Sequence, residues 1–145
     1  MATRVEWHFN DVELERLLRD RNGPVGRMVR RVADRTASLA RSYAPVDSGR
    51  LRASIRVKFR AGEREVKAWV YTNLDHGLYV HEGTGIYGPR GRPIRPRRGR
   101  FLVFPGEDGR LVFAREVRGQ RPQRFLLRAL ENASPWPVDD TVIYT

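Results

Sequence analysis

Ala44-Pro45-Val46-Asp47-Ser48-Gly49-Arg50-Leu51-Arg52-Ala53-Ser54-Ile55 divides the chain in two. Upstream of it apolar residues recur at helical spacing, and downstream they alternate as in strands. Pro45 cannot continue a helix, and it biases Ala44 away from the helical region. Asp47 or Ser48 is expected to accept from free backbone N–H groups and so cap a short new turn. Gly49 permits a tight backbone that a side chain would block. Leu51 and Ile55 lie four apart, so one apolar face of that turn can dock on a core. As chemistry the stretch is a corner between helices, because nothing in it pairs a nucleophile with a base.

Working back from the corner, Val25, Met28, Val29, Val32, Thr36, Leu39, Ala40 and Tyr43 follow the spacing of a long amphipathic helix. Pro24 suits its first turn, and Asn22-Gly23 separates it from a shorter helix carrying Leu14, Leu17 and Leu18. Asn10 or Asp11 is expected to cap that shorter helix. Residues 4–9 alternate with Val5, Trp7 and Phe9 on one face, which reads as a strand.

Working forward, residues 55–60 and 66–71 alternate about a turn at Ala61-Gly62-Glu63 and form a hairpin. Residues 73–85 read as a loop, a short helical or extended piece and a glycine turn. Residues 101–104 and 111–114 form a second hairpin, with Asp108-Gly109 as the turn signal. A last helix spans residues 125–132, with Phe125, Leu126, Ala129 and Leu130 toward the core, and Ser134-Pro135-Trp136-Pro137 stops it. Residues 141–145 are strand-like, either a frayed terminus or a segment that adds to a sheet edge in cis or on a neighbouring subunit. The expected architecture is α+β. Long N-terminal amphipathic helices pack on an antiparallel sheet of about four to five strands, with a short C-terminal helix and an extended tail. Residues 1–134 make one domain, with a mobile arginine-rich loop at 86–100, and residues 135–145 form an extension. The aromatics Trp7, Phe59, Trp69, Phe101, Phe104, Phe113 and Phe125 fall at positions expected to be core.

A chain of 145 residues suits one domain with a real core. It has no run of about 18 apolar residues, so no membrane span or membrane partner is expected. A charged N-terminus without a signal-peptide core points to the cytoplasm. The absence of cysteine removes disulfides and thiolate metal sites, and His8, His76 and His81 show no ligand spacing. No metal or other cofactor is expected. Gly83-Thr84-Gly85 lacks the lysine and spacer of a phosphate loop. His81-Glu82 could serve as base and orienter, but no Ser or Cys stands in a fixed relation to them. Asp47, Asp75 and Glu82 have no metal-ligand spacing. The chain therefore reads as a non-enzyme.

The charge is strong and uneven. The formal net charge is +11, and residues 90–128 alone hold twelve arginines against three acids, whereas residues 129–145 hold three acids and no base. Arginine makes bidentate contacts to phosphate and carboxylate that lysine does not. Within the glycine- and proline-rich stretch 87–100, Arg90, Arg92, Arg95, Arg97, Arg98 and Arg100 occur without an acid. These six are the candidates for contact with a polyanion such as DNA or with an acidic partner, the alternative being a face that is simply solvated. Any DNA contact would be sequence-independent and steeply salt-sensitive, since no base-reading motif accompanies them.

The corner resembles the signature of a family of small neck or tail-completion proteins of long-tailed phages, with Ser48 where threonine is usual. Pro45, Asp47, Gly49, Arg50 and Leu51 are the structural residues of that motif. Residues 79–84, Tyr-Val-His-Glu-Gly-Thr, are similar to a second family stretch, and residues 122–130, Pro-Gln-Arg-Phe-Leu-Leu-Arg-Ala-Leu, to its closing motif. The resemblance spans roughly residues 10–132. It implies a structural virion protein at the head–tail interface, made in the host cytoplasm. Such proteins form a ring on the axis along which the genome passes, here a hexamer by preference or a dodecamer. The implied partners are other copies of the chain, the head connector or stopper protein, the tail terminator or tail tube protein, and double-stranded DNA without sequence specificity. The alternatives are the tail terminator itself and a free sequence-independent nucleic-acid-binding protein. A ring needs a heterologous interface. The acidic tail, with Trp136, Val142, Ile143 and Tyr144 as candidate subunit contacts, could meet the basic segment of a neighbour.

Overall fold

The computed structural model describes residues 10–47, 49–62 and 65–138. Helix α1 (Asp11–Arg19) is followed by α2 (Pro24–Tyr43), α3 (Arg50–Ser54), β1 (Arg56–Ala61), β2 (Val66–Tyr71) and α4 (Asp75–Glu82). A 3-10 turn (Gly85–Tyr87), β3 (Leu102–Pro105), β4 (Leu111–Ala114) and α5 (Phe125–Ala133) complete it. The α+β class holds. The expected strand at residues 4–9 and the tail at 141–145 lie outside the described residues.

Local chemistry sets the helix boundaries. Asn10 caps α1 by accepting from the Glu13 backbone N–H, with acids in the first turn and arginines in the last, as the helix dipole prefers. The Asp20 carboxylate accepts from Asn22 N at 2.9 Å and turns the chain, and Pro24 opens α2 at a position where its missing N–H costs nothing. The apolar face of α1 is nevertheless open, with Leu14 and Leu17 exposed among the described residues.

Helix α2 is the scaffold. It packs most extensively on α5 and also carries the β1–β2 hairpin. The buried core consists of Ala37, Ala40, Ala44, Leu51, Ile55, Phe125 and Ala129, flanked by Leu39, Tyr43, Val57, Val70, Val80 and Leu126. Its most deeply buried face on α2 is not the larger apolar stripe predicted from spacing. Gly26, Ala33, Thr36, Ala37 and Ala40 are buried, while Val25, Val29, Val32 and Leu39 are half-buried and Met28 is exposed. Small side chains let α5 approach, and it answers with its own Ala129 and Ala133. Leu130, expected in the core, is exposed on α5.

The corner sits against this core. Leu51 and Ile55 are buried, as their spacing predicts. Gly49, at φ +74°, is the N-cap of α3, and among the described residues no side chain caps that helix end. Asp47 is exposed, and Ser48 lies outside the described residues. Glycine adopts this left-handed backbone at little cost. Ser54 Oγ donates to Leu51 O at 2.7 Å and lies 2.6 Å from Thr72 Oγ1, which joins the corner to the end of β2. Arg41 donates to Ile55 O at 3.0 Å and joins it to α2.

The strands form two separate two-stranded antiparallel sheets, β1–β2 and β3–β4, rather than one sheet of four to five among the described residues. In the first, Val57↔Val70, Phe59↔Ala68 and Ala61↔Val66 share the half-buried face toward α2, and Lys58 and Trp69 lie on the open face. In the second, Asp108-Gly109 turns the chain as expected, with Gly109 at φ +75° and Gly106 N donating to Arg110 O at 2.7 Å. This hairpin has no substantial packing partner among the other described elements. Of the aromatics expected in the core, Phe125 is buried and Phe59 half-buried. Trp69, Phe101, Phe104 and Phe113 are exposed, because no other described element forms a second layer over those faces. Trp7 lies outside the described residues.

Candidate nucleic-acid and partner interface

Beyond the 3-10 turn, glycine and proline keep residues 88–100 out of helices and strands, but the chain is anchored at both ends of its first half. Thr84 N donates to Gln120 O at 2.9 Å, Ile86 N to Arg118 O at 2.8 Å, and Gln120 N to Thr84 Oγ1 at 2.9 Å. Farther on, Ile94 and Val117 exchange both backbone hydrogen bonds, at 2.8 and 2.9 Å. Residues 84–94 therefore run beside residues 117–120. The contact is close enough that glycine is needed on both sides. A Cβ at Gly85 would stand 2.0 Å from Arg118 O, and one at Gly119 would stand 2.1 Å from Thr84 O. The Gly83-Thr84-Gly85 run thus has a structural duty where its wording faintly suggested a phosphate loop.

This crossing presents the arginines. Arg90, Arg92, Arg95, Arg97, Arg98 and Arg100 are all exposed. Arg95 reaches across to β4's exit and donates from Nε and Nη2 to Glu116 Oε2, at 3.1 and 3.0 Å. The other five have no acidic partner among the described residues. The pairing also brings in arginines that the six candidates omit. Arg115 and Arg118 are exposed on the returning strand, and the Arg121 guanidinium stands 5.4 Å from the Tyr87 ring centroid. Their place beside the loop was hidden in the sequence, because residues 84–94 and 117–120 carry no alternating pattern that would announce a pairing.

The Arg95–Glu116 pair is well exposed on both sides, so it should contribute at most about 1 kcal/mol. Glu116→Gln is accordingly expected to shift the thermal midpoint by no more than a few degrees at low salt and by nothing measurable at high salt. A larger, salt-independent loss in a melting experiment would mean that the pair holds the loop in place.

The remaining candidates do not converge on chemistry. His81 is buried at the end of α4, edge-on to Phe125 at 5.7 Å between ring centroids, with its Nε2 3.8 Å from Glu82 Oε1. It belongs to the packing between α4 and α5. No three of His, Cys, Asp and Glu come together as a metal site would require among the described residues. No helix among the described residues is long and apolar enough to cross a membrane. Of the motif residues, Pro45 and Gly49 are half-buried, Asp47 and Arg50 are exposed, and Leu51 is in the core. Trp136 is about half exposed, and its N–H donates to Ser134 Oγ at 3.1 Å just beyond α5. Val142, Ile143 and Tyr144 lie outside the described residues.

Comparison with known families matches residues 14–83 to the model described as "Bacteriophage HK97-gp10, putative tail-component". No curated protein and no solved structure matches the chain. The matched stretch runs from within α1, through the scaffold helix and the corner, to the glycine that ends α4. The arginine loop, the second hairpin and α5 lie beyond it. Over residues 14–83, just under half of its length, the chain is similar to the HK97-gp10-like family of phage tail components.

Proposed function

We propose that this tail component is a neck or tail-completion protein, assembled as a ring around the path of the genome between connector and tail tube. The arginine face of residues 90–100 and 115–121 carries the reading. Its side chains are exposed, nearly all lack an acidic partner among the described residues, and their backbone is pinned by the crossing at Gly85 and Gly119. A surface of this kind neutralises phosphates without reading bases. That is what a conduit needs, because DNA held in register could not slide. A hexamer would match the symmetry of a tail tube, with a dodecamer as the alternative. The connector or stopper above and the terminator or tube below are its neighbours.

The same exposed arginines favour a second use, docking on an acidic ring. The two uses separate by experiment. Arg92→Glu, Arg97→Glu and Arg98→Glu together leave Arg95 on Glu116. If the face lines the channel, heads and tails still join and DNA retention or ejection changes. If it docks, joining is lost. For the purified protein, binding to arbitrary duplex DNA is expected to weaken uniformly across sequences. Its log–log salt slope should fall by about one for each arginine that is neutralised. An unchanged slope in the triple variant would remove this face from DNA contact altogether.

A further inference from the structure

We propose that the β3–β4 hairpin is an arm that docks on a second copy of this chain, with its acidic tip against the neighbour's arginine face. The proposal rests on the ring reading and names the element that would close the ring.

The hairpin's sequence does not alternate. Phe101-Leu102-Val103-Phe104-Pro105 and Leu111-Val112-Phe113-Ala114 are apolar on both faces, the pattern of strands covered on both sides. The register puts Val103 opposite Phe113 and Pro105 opposite Leu111, so these four share one face. Leu102, Phe104, Val112 and Ala114 share the other. Among the described residues nothing covers either face. Leu111 and Phe113 are each more than 60% exposed, and Phe101, Val103, Phe104 and Val112 are exposed as well. Together these side chains leave apolar area on the order of 600 Å² in water. Divided between the two faces, each share is ordinary for a patch on a monomer, and the two together approach one partner's share of a stable interface.

The tip decides what covers it. Glu107 and Asp108 stand exposed at the far end of the arm, and Arg110, whose Nε lies 3.8 Å from Asp108 Oδ2, leaves the tip at a net −1 inside a segment otherwise dominated by arginine. A DNA phosphate would repel them. A bilayer would have to take two carboxylates in first, which is costly. The complement of an apolar arm with an acidic end is an apolar surface with a basic rim. This chain, at +11, supplies the basic rim itself. The arm and the arginine face are different patches of one molecule, so their contact is head-to-tail. Contacts of that type close into rings when the rotation allows. Among the described residues no third strand pairs with either hairpin, so the arm can extend a neighbour's β1–β2 pair into the larger sheet that two strands alone do not make.

The test uses the full chain. Sedimentation equilibrium is expected to show a multiple of the 16.8 kDa protomer. The double variant Leu111→Ser, Phe113→Ser should weaken association by about 100-fold. Both positions are exposed, so its circular dichroism should stay that of the parent. Glu107→Arg should weaken association about 10-fold, because it sets like charges against each other. The chain has no cysteine, so Glu107→Cys carries a single photo-cross-linker at the tip. In a mixture of isotopically light and heavy protein, cross-links between copies to residues 90–100 or 115–121 are expected. The proposal is overturned if the serine variant associates as the parent does. It is also overturned if the parent stays monomeric at millimolar concentration, or if cross-links join only residues of one copy. Capture of the parent by phosphatidylglycerol vesicles, lost in the serine variant without any cross-link between copies, would assign the arm to lipid and overturn it too. A monomer that still incorporates at the head–tail junction would sink this proposal alone, since subunits can be recruited onto a preformed neighbour.

Discussion

Gly119→Ala is expected to destabilise the crossing that holds the arginine face by about 3 kcal/mol or more. Two costs combine. Gly119 has φ +94°, and a side chain there is strained before it touches anything. Its Cβ would then stand 2.1 Å from the Thr84 carbonyl oxygen, a backbone atom that cannot swing aside. Gly85→Ala meets the same obstacle from the other side, at 2.0 Å from Arg118 O with φ +65°. The loss should be local. Helices α2 and α5 and the corner make the main core and do not depend on this contact. The readout is therefore hydrogen exchange at the Ile86, Ile94, Val117 and Gln120 amides, which all donate within the crossing. Their protection should fall about 100-fold or more, while amides in α2 keep theirs. Gly91→Ala is the control. It has φ +58° and nothing within 4 Å of a Cβ, so it carries strain without collision and should cost only about 1 kcal/mol. If Gly119→Ala exchanged no faster than Gly91→Ala, the crossing would not be what pins the arginines. If the arginine face contacts DNA as proposed, the variant should also weaken that contact without altering a single charge.

How far the sequence carried this picture depends on whether each feature was local. Asn10, Pro24, Asp108-Gly109 and the spacing of Leu51 and Ile55 act within a few residues, and each did what its chemistry dictates. The first hairpin was legible for the same reason, since Val57, Phe59 and Ala61 alternate against α2. Two features were not local. The alanine face of α2 is most buried because α5, about ninety residues later, brings alanines of its own, and hydropathy ranks a valine above them. The pairing of residues 84–94 with 117–120 is written in glycines and backbone groups, which carry no period. The second hairpin misled in an informative way. Its apolar run promised a covered strand, and no other described element covers it. Sequence density found the arginines, whereas only the fold could show which of them share a face.

Ile55→Ala is expected to cost about 3–4 kcal/mol, toward the upper part of the range for truncating a buried aliphatic side chain. Ile55 is fully buried and is the largest side chain so completely enclosed. Its place in that range follows from its neighbours. The cluster around it is built largely of Ala37, Ala40, Ala44 and Ala129, whose Cβ atoms are fixed to helix backbones and cannot reach into a void. Leu51 and Phe125 are the larger members, and each already occupies its own place in the cluster. The site therefore collapses poorly, and the cavity term persists beside the lost transfer energy. A loss of this size should lower the thermal midpoint by roughly 10 °C in a chain of this length. Val46→Ala, in the same corner but well exposed, should change stability by less than about 0.5 kcal/mol. Thermal or urea unfolding of the two variants side by side is the measurement. A loss below about 1 kcal/mol at Ile55 would mean that the corner is held by its polar ties instead, Arg41 to Ile55 O and Ser54 to Thr72. Burial predicts the opposite ranking, because those ties bridge partly exposed groups. On that account the corner is an anchor: Ile55 fixes the start of β1 against α2, and β2 delivers the chain to α4 and so to the crossing that presents the arginines.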